Sequence, residues 1–312
     1  MPPSPPPWQL ALARVEGALP FLRGDVADGL ALASLRRLWR VHVRDFAFEN
    51  LGPDHDPGIE AAELTRSWYA AERRDFLSWI ARRGPPPLAR AARLALAAKG
   101  TAENYTEAFE PADRALARLD ALLPARDPLA GLQGWLRQLR EDEVCFLEGG
   151  SEEVLIGGRV FHRFAGRGSA WAASLAAAMR PHLFGLGAAP LALAGLAPRS
   201  LFAAEPESPL PALLADTIAT AAYDLVTDLT DIHQAVTLGD TRLAALYASS
   251  QAPAAWRLIA ALGPLTRAEL ARALVITRRT ASQAATALEK AGLATLRHGD
   301  KALLPMGPAR TD

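Results

Sequence analysis

Apolar positions recur every three to four residues along most of this chain, and that period predicts helices. Leu35, Leu38, Trp39, His42 and Phe46 share one face, with Arg36, Arg37, Arg40 and Arg44 off its centre. The pattern predicts one long helix over 25–51, broken by "LGPDHDPG". A second is expected over 59–83, with Leu64, Trp68, Phe76 and Trp79 as apolar bulk, stopped by Gly84 and three prolines. Further helices are expected over 88–99, 111–123, 129–146 and 171–179. The stretch "SEEVLIGGRVFHRFAGRGSAW" has no clear period. It reads as irregular chain with a short hairpin at Gly157–Gly158, or as two helical turns with a glycine break. Residues 210–234 are amphipathic, with Asp216, Thr217, Thr220, Asp224, Asp228 and Asp231 on one side and Leu225, Leu229 and Ile232 on the other.

Near the C-terminus the punctuation becomes dense. Pro253 suits a first helical position, and "AAWRLIAAL" runs to Gly263–Pro264. "LTRAELARAL" opens with a capping box of Thr266 and Glu269. In "ITRRTASQAATALEKAGL" Thr277 is the expected N-cap and Gly292 the residue after the C-cap. "LATLRHGDKALLP" offers two short strands around His298-Gly299-Asp300. The order is helix, helix, helix, hairpin.

Composition sets the scale. The 312 residues are 50% hydrophobic and 22% charged, which describes a globular chain of about two domains. Abundant Ala and Leu, with few Val, Ile and Tyr, favour a mostly α fold. The start "MPPSPPP" reads as a disordered tail over 1–8 and lacks a secretion signal, so a cytoplasmic location is expected. A helical domain is expected over 9–250, with a Pro- and Ser-rich linker at 197–209. A last domain, over 251–306, is expected to fold as a separate unit. Residues 183–198 are apolar but too short for a membrane span, and are expected in the core. Cys145 is a single cysteine, without a basic neighbour, and reads as a small core residue.

Three patterns carry candidate chemistry outside the last domain. His42 with "DHD" at Asp54–Asp56 has the residue types of metal-dependent phosphohydrolases but lacks a distant aspartate partner. His42 is instead expected to be a satisfied core histidine. Asp224, Asp228 and Asp231 can line up for a cation, but a solvated face needs no extra assumption. "FAGRGSAW" and "LFGLGAA" lack the lysine and strand–loop–helix setting of a phosphate loop. No cofactor, metal or enzymatic activity is expected.

The segments "LTRAELARAL", "TRRTASQAATALEKAGL" and "LRHGDKALL" together resemble the winged helix-turn-helix of MarR-like bacterial regulators. Ala281, Ala284, Ala285 and Ala287 stand where that family usually has larger apolar residues. The resemblance implies duplex DNA as partner, with the second segment as recognition helix and the third as wing. The residue types agree. From 252 to 312 there are nine Arg or Lys against four Asp or Glu, although the whole chain balances 34 of each. Thr277, Arg278, Arg279, Ser282, Gln283 and Thr286 lie on the early turns, which meet base edges in this motif. Arg can fork onto guanine and Gln onto adenine. Arg297 and Lys301 can reach phosphates from the wing. Residues 22–52 are also similar to the helical C-terminal region of RarA-type AAA ATPases. The chain has no Walker motif, so only a helical assembly module is implied. The simplest expectation is a transcriptional regulator whose helical domain carries homodimer, effector or partner contacts, with no membrane partner. The alternatives are a replication or mobile-element DNA-binding protein, and a helical metal-dependent hydrolase with an accessory winged helix.

Overall fold

A computed structural model describes residues 6–44, 48–50, 58–121, 127–141, 151–156, 159–164, 169–184, 186, 191–198, 210–246, 249–297 and 299–306. Pro7 occupies the first position of α1 (Pro7–Ala18), where its missing N–H has no helical partner to lose. Trp8, Ala11, Leu12 and Val15 form the buried stripe of α1, at the spacing of one helical face. The helix thus begins inside the stretch expected to be a tail.

The helix expected over 25–51 is α2 (Gly24–Arg44), and it ends earlier than its period suggests. Phe48–Asn50 is instead strand β1, whose backbone groups pair with a strand more than a hundred residues away. Long-range pairing overrides the local pattern here. Next come α3 (Gly58–Arg83), α4 (Pro86–Lys99), α5 (Glu110–Asp120) and α6 (Pro128–Glu141). Gly100 stops α4 with a left-handed φ of 71°. Strands β2 (Ser151–Ile156) and β3 (Arg159–Phe164) then pair antiparallel, and the sheet order is β1-β3-β2. This is the hairpin reading of that stretch, now with a third strand. Cys145, the Asp54–Asp56 motif, His298 and most of the expected linker lie outside the described residues.

Helix α7 (Ser169–Met179) is buried from Trp171 to its end, so it forms a central post. The apolar run after it supplies buried Leu183, Phe184, Leu191, Leu193 and Leu196, as expected of core. Helix α8 (Leu210–Arg242) spans 33 residues, eight beyond its expected end. The apolar period simply continues through Ala235, Val236 and Leu243, all buried. α8 packs against α1, α2 and α6 and against the next helix, α9 (Ala252–Leu262). No helix among the described residues is long and apolar enough to cross a membrane.

After α9 come β4 (Leu265–Thr266), α10 (Arg267–Ala273), α11 (Arg278–Lys290), β5 (Ala294–Leu296) and β6 (Ala302–Pro305), with strand order β4-β6-β5. The expected boundary at 251 falls between α8 and α9, but packing continues across it. α9 lies on α2 and α8, and α10 lies on α4. One hydrophobic core holds Leu30, Trp79, Trp171, Trp256, Leu270 and Leu288 alike. Close approach of α8 and α9 depends on Gly239: a Cβ there would stand 2.3 Å from the Trp256 indole, whose N–H donates to Ala235 O at 2.7 Å.

Candidate nucleic-acid interface

The caps that position α11 are the ones its sequence announces. Thr277 Oγ1 accepts the Thr280 N–H at 3.1 Å. At the far end Gly292 has φ 63°, Leu293 N–H donates to Leu288 O at 2.9 Å, and Gly292 N–H donates to Glu289 O at 3.1 Å. This paired closure satisfies carbonyls that the helix leaves open. The Arg242 guanidinium, from the end of α8, donates to Ala291 O at 3.3 Å and Gly292 O at 2.8 Å. A cation is favourable at a helix C-terminus, so α8 caps α11 electrostatically as well.

Helix α10 is anchored in the same manner. Thr266 Oγ1 accepts the Glu269 N–H at 3.2 Å, and Glu269 Oε2 accepts the Thr266 N–H at 2.8 Å. The other carboxylate oxygen, Oε1, binds Lys99 Nζ from α4. Burial alone would push the Glu269 carboxyl up, but the bonds from Lys99 and Thr266 outweigh it and hold the group below its ordinary value. Arg272 Nε donates to Ala98 O at 2.8 Å, a second tie from α10 to α4.

With its back fixed, α11 has two opposed faces. Ala281, Ala284, Ala285 and Leu288 are buried. The small side chains of Ala281, Ala284 and Ala285 let α11 sit close to α9 and α10, while Ala287 is half-buried at the edge of the groove. Arg279, Gln283, Thr286 and Lys290 are exposed and Ser282 is half-buried, all on the opposite stripe. These five residues line one open groove of about 860 Å³. Thr277 and Arg278 are exposed at the N-terminus of the helix and lie outside it. Sequence reasoning missed Lys290, which continues the stripe by one turn, and Arg242, Ala245 and Leu246, which wall the groove from the end of α8.

The hairpin residues stand apart from the groove. Arg297 is exposed, but its Nε donates to Asp300 Oδ1 at 2.8 Å and its Nη2 also binds Asp300. The Arg297 bond, helped by the Ala302 N–H, holds the Asp300 carboxyl down at about 2. Lys301 is exposed with φ 57°. In the turn before α11, Val275 has φ 53° and is 92% exposed. Ile276 N–H to Ala271 O and Val275 N–H to Arg272 O close the same paired C-cap as at Gly292. A β-branched residue thus fills a position that favours glycine.

Two other candidates lie among the described residues. His42 is buried, as expected. Trp171 Nε1–H donates to its Nδ1 at 2.9 Å, and an indole can only donate, so Nδ1 carries no proton. Nε2–H therefore donates to Glu72 Oε1 at 3.0 Å. Phe76, Phe109, Trp39 and Trp171 surround the ring.

The acidic stripe on α8 departs from the expected solvated face at Asp228. Asp228 is buried and takes two bonds of 2.7 Å from Arg37 on α2, and Asp224 takes a third at 3.0 Å. Arg36, Arg37 and Arg40 and the three aspartates line one small cavity, so the charges balance between α2 and α8. Among the described residues no cluster of three His, Cys, Asp or Glu has the arrangement to hold a metal ion. Comparison with known proteins gives no match to a family model, a curated protein or a solved structure, so the reading of this face rests on its own residues.

Proposed function

We propose that the chain binds duplex DNA through α11, most simply as a transcriptional regulator. The supporting observation is the exposed stripe of α11. Arg279, Gln283, Thr286 and Lys290 are donors or mixed donor–acceptors, no carboxylate lies among them, and the opposite face is locked by Ala281, Ala284, Ala285 and Leu288. Such side chains can read base edges in a major groove, which admits one helix. In this reading α9, α10 and α11 with the β5–β6 hairpin act as a winged helix-turn-helix. Thr277 and Arg278 meet the strand at the helix N-terminus, and Lys301 contacts phosphate. Arg297 contributes less positive field than its sequence position suggests, because Asp300 neutralises it. The helical body would carry pairing or effector contacts. Leu10 on α1, Phe21 after it, and Leu213 and Tyr223 on α8 are among its exposed apolar residues.

The test is an unbiased selection from random duplexes with the full chain. The expected result is an enriched sequence whose preference relaxes at one base position in Arg279→Ala or Gln283→Ala, at a cost of about 1–3 kcal/mol each. A full chain that enriches no sequence and binds no duplex at low salt overturns the reading.

A further inference from the structure

The groove beside α11 has a second wall that belongs to the helical body. Arg242 ends α8, and the turn after it brings Leu243, Ala245 and Leu246 to face Gln283, Thr286 and Lys290. Leu243 is buried and anchors this turn, while Ala245 and Leu246 are exposed. Arg242 bridges the two walls through its bonds to the carbonyls that end α11. The lining carries three cations, Arg242, Arg279 and Lys290, and no carboxylate.

We propose that this groove holds one sugar–phosphate strand of the duplex that α11 reads, with Ala245 and Leu246 as part of the contact surface. The proposal rests on the DNA reading given above. A strand of DNA carries one negative charge every ~3.4 Å, which matches a cationic lining without acids. Deoxyribose presents apolar carbon to a wall of Leu and Ala, while the hydroxyl and amide groups of Thr286 and Gln283 face the polar edges. A docked peptide would instead need enclosed pockets for apolar anchors. This groove is open and has donors along its α11 side. Backbone contact on one wall and base contact on the other fix the register of a duplex, because phosphate contacts position and base contacts specify. The reading surface then extends beyond the last domain onto α8.

The experiment uses the full chain and a fluorescent mixed-sequence duplex titrated at several salt concentrations. Ala245→Glu and Leu246→Glu place a negative charge on exposed positions, and melting curves confirm that each still folds. Each is expected to weaken binding about tenfold on every sequence, because like charges then face each other. Ala245→Lys is expected to tighten binding and steepen the salt dependence by about one unit of slope. If both Glu variants bind as the parent does while Arg279→Ala loses affinity, the strand does not use the groove. The proposal then fails and the DNA reading stands. A parent chain that binds no duplex sinks both. If a fluorescent polyglutamate peptide binds more tightly than a duplex, and Ala245→Glu abolishes that binding, the groove belongs to an acidic protein partner and the proposal is overturned.

Discussion

Gly239 on α8 and Trp256 on α9 fit because the first has no side chain: its missing Cβ leaves the space that the indole fills. The indole is buried and tied to Ala235 O, so it has nowhere to swing. Gly239→Ala is expected to destabilise the protein by about 1–3 kcal/mol through overpacking. Gly134 lies within α6 with nothing within 4 Å of an added Cβ. Gly134→Ala should therefore stabilise by about 0.5–1 kcal/mol. Denaturant melts of the two variants side by side measure both signs, and a neutral Gly239→Ala would contradict the packing.

The two aspartates facing Arg37 should behave differently. Asp228 has 5% side-chain exposure and a two-bond pair, whereas Asp224 has 41% and one bond. Asp228→Asn removes one acceptor oxygen and the main countercharge of a partly buried guanidinium and is expected to cost about 2–3 kcal/mol. Asp224→Asn should cost less than about 1 kcal/mol. Equal losses, read as unfolding midpoints, would mean that burial does not separate them.

Acid should loosen the contact between α10 and α4. Glu269 titrates below its ordinary value of 4.5, so the charged form is the one the fold stabilises. Its contribution is complete above that pH and is lost as pH falls through the lower folded value. Lys99 is partly exposed, so the loss is about 1 kcal/mol. Glu269→Gln should show this loss at neutral pH and a flatter stability profile in acid. Parallel profiles for parent and variant would remove Glu269 from the acid response.

At the hairpin, Asp300→Asn should raise affinity for any duplex. It deletes a carboxylate held ionised down to about 2 and releases Arg297. The salt slope is expected to steepen by about one unit, whereas Arg297→Ala should change it by less than one. The reverse ranking would show that Arg297 already contacts phosphate despite its partner.

Val275 should be improvable. Val275→Gly relieves a left-handed β-branched residue and is expected to stabilise by about 1 kcal/mol, visible as a higher melting temperature. An unchanged melting temperature would show that the turn bears no strain.

What the sequence made legible was local. Thr266, Thr277 and Gly292 announce their caps within four residues of the groups they satisfy, and the period of Leu35, Leu38 and His42 marks a buried face. What it hid was long-range. Asp228 looks solvated until Arg37, 191 positions away, arrives from α2. Phe48–Asn50 looks helical until β3 pairs with it. Arg242 reads as the polar end of a helix, yet its partners are carbonyls 49 and 50 positions further on. Trp8 sits in a Pro-rich stretch that looks unstructured, but one of those prolines starts the helix that buries it.

Helix α8 also joins two distant attachments. Near its start, the Thr217 hydroxyl donates to Leu196 O at 3.1 Å, and at its end Arg242 grips α11. The arm between these two attachments is roughly 40 Å at the rise of an α-helix. A tilt of about 5° at the Leu196 end would carry the Arg242 end through about 3 Å, close to the ~3.4 Å separation of neighbouring base pairs. In the proposed reading, the packing of α8 on α1, α2, α6 and α9 therefore holds α11 steady to better than one base-pair step.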